Sequence, residues 1–90
     1  MKHRRLRTFR QDFQGLPKEI QRKAVKAFQR FKENPGHPSL HVQKIPGTDI
    51  WYGRVDQAYR WTFHYEHDRD SGETICVHRR LGTHAVFESP

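Results

Sequence analysis

Arginine, histidine and aromatic residues recur between positions 51 and 84 at spacings that bring them together only on extended chain. Tyr59, Trp61, Phe63 and Tyr65 alternate with Arg60, Thr62, His64 and Glu66, and a period of two sends these sets to opposite faces of a strand. With the aromatic set inward, Arg60, Thr62 and His64 face out. The preceding run, with Trp51 and Val55 inward, adds Tyr52 and Arg54. The last run, with Ile75 and Val77 inward, adds Cys76, His78 and Arg80. Such a face can hold RNA, because guanidinium groups grip phosphate and rings stack on bases. A sheet covered on one side has a polar outside in any case, so the pattern also fits an ordinary solvated face. His64 and His67 are three apart and fall on opposite faces of a strand, which removes them as a metal pair. No metal or cofactor is implied. A single cysteine, Cys76, excludes an internal disulfide and a zinc site built on several cysteines.

The elements that must position these residues are legible from periodicity and punctuation. Residues 2–8 are short, basic and extended. Gln11 to Gln14 make a helical turn that sets Phe9 and Phe13 on one side. Pro17 to Glu33 carry the strongest helix signal: Pro17 suits a first helical position, Glu19 the positive helix start, and Ile20, Ala24, Ala27, Phe28 and Phe31 form one apolar stripe. Asn34-Pro35-Gly36 ends it. Strands are expected over His41–Ile45, Ile50–Asp56, Tyr59–Glu66 and Glu73–Leu81, with turns at Pro46–Asp49 and Asp68–Gly72. Helix followed by strands at hairpin spacing means an α+β fold with helices covering one sheet face.

Composition limits what these elements can do. Ninety residues make one domain, 1–90, and 33% hydrophobic residues allow only a small core. No apolar run reaches the length of a membrane span and the first residues lead into no signal-peptide core, so a soluble cytoplasmic protein is expected. Seventeen Lys and Arg against ten Asp and Glu leave a net charge of +7, and eleven of the cations are arginine. Polyanionic partners follow from this balance: nucleic acid, an acidic protein segment or a membrane surface, of which the membrane is not expected because the apolar helix stripe is needed for the core. The basic face of the helix (Lys18, Arg22, Lys23, Lys26, Arg30, Lys32) and the N-terminal Lys2, Arg4, Arg5, Arg7 and Arg10 fit such contacts, and fit simple solvation as well.

Leu16-Pro17, the Asn34-Pro35-Gly36-His37-Pro38-Ser39-Leu40 helix exit, Trp51-Tyr52-Gly53-Arg54-Val55, Tyr59-Arg60 and Leu81-Gly82-Thr83-His84 occur in that order. Together they resemble the RelE/ParE superfamily of bacterial type II toxins over essentially the whole chain. The resemblance implies a small, mostly antiparallel sheet with an N-terminal helical pair, and neutralisation by a cognate acidic antitoxin. RelE-like members cleave mRNA on the ribosome without a metal; ParE-like members poison DNA gyrase instead, and fold alone does not choose between them. It further implies that Arg60 matches the strand arginine used at the scissile phosphate. His84 falls in the segment that holds a catalytic Arg or His, and Arg54 stands in the preceding strand as a second phosphate ligand. Phe87 lies nearest to the C-terminal tyrosine of several such nucleases. The RNA-contacting set expected beside these is Arg80, His78, His64, Tyr52 and Lys44. A plain nucleic-acid-binding module without toxicity is the third reading.

Overall fold

The computed structural model describes residues 1–90. In chain order the elements are β1 (Lys2–Arg5), α1 (Arg7–Gln14), α2 (Lys18–Glu33), a 3-10 turn (Pro38–Leu40), β2 (Gln43–Lys44), β3 (Trp51–Arg54), β4 (Arg60–His67), β5 (Thr74–Gly82) and a C-terminal 3-10 turn (His84–Glu88). The five strands make one sheet in the order β1-β5-β4-β3-β2. β1 runs parallel to β5 and every other pair is antiparallel. The expected α+β class holds. The N-terminal basic segment is a paired edge strand, the first helix is longer than the single turn expected, and β2 is only two residues long.

Both helices lie on one face of the sheet. Ala24, Ala27 and Phe31 of α2 are buried, and Phe31 and Phe28 meet the Trp61 ring edge-on at 5.5 and 5.4 Å. Phe9, Leu40, Phe63, Cys76 and Leu81 complete the buried cluster. Gly53 faces Trp61 across the β3–β4 pair, and a Cβ there would stand 2.3 Å from the indole. The Trp-Tyr-Gly-Arg run therefore has glycine because the indole occupies the space above it.

One irregularity sets which side chains face which way. Along β4–β5, Tyr65 pairs Cys76 and Phe63 pairs His78, but Thr62 pairs Arg80, which leaves Arg79 as an extra residue on β5. This bulge is held by Thr62, whose Oγ1 accepts from Arg80 N (3.0 Å) and donates to Pro90 O (3.1 Å). An extra residue reverses the alternation. Cys76 and His78 consequently face the helices, not outward as simple alternation predicts, and Ile75 and Val77 take the outer face expected for the other pair. Both Cys76 and His78 are buried.

Candidate active site

On the face away from the helices, β3 and β4 set Arg54 directly opposite Arg60. Like charges in register repel, and neither guanidinium has a carboxylate partner. Arg60 is 8% exposed. Its Nη1 donates to the carbonyls of Asp56 (2.6 Å), Tyr59 (3.0 Å) and Gln57 (3.2 Å), which closes the β3–β4 turn around the side chain. Burial first, and then the adjacent Arg54, lower the Arg60 pKa from its ordinary value. Arg54 Nε is buried with no hydrogen-bond partner. A buried donor of this kind costs free energy until an acceptor arrives.

Asp56 shapes the same turn. Its Oδ1 accepts from Ala58 N (2.9 Å) and Tyr59 N (2.8 Å), and its Oδ2 meets Lys23 of α2 at 3.4 Å. The turn that grips Arg60 is thereby tied to the helix layer.

The C-terminal turn supplies the opposite wall. Arg79 Nε and Thr62 Oγ1 both donate to Pro90 O, Arg80 Nη1 donates to Ser89 O, and Val86 is buried against Gly82. These contacts lay His84 and Phe87 over the sheet. Phe87 meets Tyr52 edge-on at 4.9 Å and His84 at 5.6 Å. The result is a cleft of about 140 Å³ lined by His41, Gln43, Tyr52, Arg54, Arg60, His84 and Phe87. Two cations lie on its floor, two exposed histidines at its mouth and two aromatic rings along one side.

Four of the residues expected from sequence, Arg54, Arg60, His84 and Tyr52, are thus brought together. Others are not. His78 sits among Phe9, Phe28, Phe31 and Phe63 on the helix side, because the bulge reverses its direction. Lys44 pairs with Trp51, on the helix-side face of the edge strand, and bridges Asp49; its neighbour Gln43 pairs with Tyr52 and takes the cleft position. Arg80 is on the outer face but turns to Asp12 of α1 (2.8 Å). His64 is also on that face, accepting from Arg79 Nη1 at Nδ1 (2.9 Å) and contacting Glu66 at Nε2 (2.8 Å).

His41 was not anticipated. It stands in the left-handed region (φ 46°, ψ 46°), the only non-glycine residue with positive φ, and such backbone strain gathers at functional sites. The signal available for it in the sequence was its place between a Pro-Ser-Leu turn and a strand.

No protein-family model matches this sequence, and no curated protein matches it. Solved structures do. A YoeB/ParE toxin from Agrobacterium tumefaciens is similar with a TM-score of 0.73 at 13% identity, covering 93% of this chain and 99% of that one. YafQ from E. coli strain BL21(DE3) gives 0.70 at 13% identity, over 96% of both chains. A chain of the RelB–RelE antitoxin–toxin complex from Methanococcus jannaschii gives 0.66 at 17%, over 94% of both. Element order, sheet and near-complete mutual coverage agree throughout: the chain has the fold of the RelE/ParE-type toxins.

Proposed function

We propose that this protein is a type II toxin that stops translation by cleaving mRNA on the ribosome. The observation that carries the reading is the unneutralised Arg54–Arg60 pair facing His41 and His84 across one cleft. In such cleavage the ribose 2′-OH attacks the adjacent phosphorus and the 5′-oxygen leaves. A base takes the 2′ proton, an acid protonates the leaving oxygen, and cations hold the charge on the phosphorane oxygens. Arg54 and Arg60 serve the last role, since a planar fork reaches two oxygens and keeps its charge. A phosphate there also gives the buried Arg54 Nε its acceptor. His84 and His41 supply the imidazoles for proton transfer, one as base and one as acid. Tyr52 and Phe87 stack a base beside the scissile phosphate. The net charge of +7 fits both the ribosome and an acidic antitoxin that silences the protein.

Primer extension on mRNA from a cell-free translation reaction with purified protein tests this. New ends within the A-site codon, absent with Arg54→Ala and with His84→Gln, are expected. Intact mRNA from folded protein would overturn nuclease activity and direct attention to gyrase, read as loss of supercoiling.

A further inference from the structure

We propose that His3, Cys76 and His78 form a second site, which binds a soft d10 metal ion, copper(I) ahead of zinc(II), at the β1–β5 edge. His3 and Cys76 are register partners on the two parallel strands and His78 follows two residues on, so all three share the helix-side face. One ligand atom from each lies within 4.8 Å of the other two. His3 Nδ1 and His78 Nε2 are 3.0 Å apart with ring planes only 13° from parallel, so the two ring edges confront each other over one shared proton. Donors on a common tetrahedral ion, at about 2.0–2.1 Å for nitrogen and about 2.3 Å for sulfur, stand about 3.3–3.6 Å apart. The nitrogens are already near that spacing. The sulfur, in the same 4.8 Å cluster, must draw closer by about 1 Å to join them.

Ligation displaces the proton between the two rings and the proton of the Cys76 thiol, so each ligand is freed by deprotonation as the ion enters. The surrounding Arg5 and Lys32 also rank the ions. A thiolate with copper(I) is neutral, whereas a thiolate with zinc(II) adds a positive charge beside two others. Access comes from a groove of about 320 Å³ that His3 and His78 line together with Arg5, Phe28, Gln29 and Lys32. It supplies the entry path and an open fourth position. His78 is a buried polar ring among four phenylalanines, and its side chain's one hydrogen bond is to the His3 ring.

The site is independent of the cleft and its test involves no cleavage. The reduced full-length protein is titrated with the copper(I)–bicinchoninate complex, and separately with cobalt(II) as a spectroscopic substitute for zinc. Expected is 1:1 extraction of copper(I). Cys76→Ser and His3→Gln should each weaken it by at least about 10- to 100-fold, the loss usual even for groups that only support a ligand. His3 is half-buried on an edge strand, so its variant keeps the fold, as circular dichroism will verify. A thiolate-to-cobalt charge-transfer band without copper(I) extraction supports the site and reverses the ranking. Absence of 1:1 binding for either ion, or binding unchanged by Cys76→Ser, overturns the proposal.

Discussion

Two halves of the outer sheet face are built from the same residue types and end with opposite electrostatics. At the β1–β5 end three cations find carboxylates, while Arg79 is held by Pro90 O and His64. Arg4 meets both Glu66 oxygens at 3.0 Å, Lys2 reaches Asp68 and Glu73, and Arg80 bonds Asp12. At the β3–β4 end Arg54 and Arg60 oppose one another with no carboxylate on either. Arginine count does not locate a site. What sets the β3–β4 pair apart is two opposed guanidinium groups without a counter-charge and a buried Arg54 Nε without an acceptor, which leaves free energy available to an incoming anion.

That contrast can be broken by experiment. Arg54→Ala is expected to lower cleavage by about 10²–10³-fold, the loss typical of one charge-stabilising contact. Its melting temperature should not fall, because the substitution relieves a like-charge pair. Arg60→Ala should lose activity and stability together, since Nη1 holds three turn carbonyls. A stability loss in Arg54→Ala would place that residue with the structural arginines.

Gly53→Ala should destabilise by about 1–3 kcal/mol, the usual cost of overpacking, because its Cβ meets the Trp61 ring. Denaturant melts will show this. Asp12→Asn tests the neutralised half. Asp12 Oδ2 accepts from Leu81 N as well as Arg80 Nε, so weakening it should cost about 1 kcal/mol or somewhat more. For a domain of this size that is about 4–8 °C in Tm per kcal/mol. Arg4→Ala, whose partner Glu66 is exposed, should leave both Tm and cleavage essentially unchanged.

The smallest effect concerns pH. Burial pulls the Asp56 carboxyl up, but the N–H groups of Tyr59 and Ala58, with Lys23, outweigh it and hold the group below its ordinary 3.8. The folded chain then binds fewer protons than the unfolded one in that window. This contribution is complete above the ordinary value and is lost as pH falls through the lowered one. Asp56→Asn should therefore flatten the fall in Tm between about pH 5 and about pH 3. An unchanged slope would show that the turn does not depend on the charge.

Much of the cleft was legible because it depends on local alternation. β3 and β4 are regular over Trp51–Arg54 and Arg60–Thr62, so counting by two puts Tyr52, Arg54 and Arg60 on one face. The apolar stripe of α2 and the stops around it were readable for the same reason: helix periodicity and punctuation are properties of neighbouring residues. His78 and Cys76 were misplaced because one extra residue, Arg79, reverses alternation beyond it. No residue type announces a bulge. Thr62, which holds it, is seventeen positions away from Arg79 in the chain.

The sequence by itself determined a basic α+β domain, its helices, its strand faces up to the bulge and its excess of arginine. Only the tertiary structure decided which arginines are neutralised, that His41 and His84 line one cleft with Arg54 and Arg60, and that His3 joins Cys76 and His78. Each of these depends on a partner far along the chain. Charge neutralisation, the gathering of side chains in a cleft and the clustering of His3, Cys76 and His78 are set by distance in space, and residue spacing encodes that distance only within a single helix or strand.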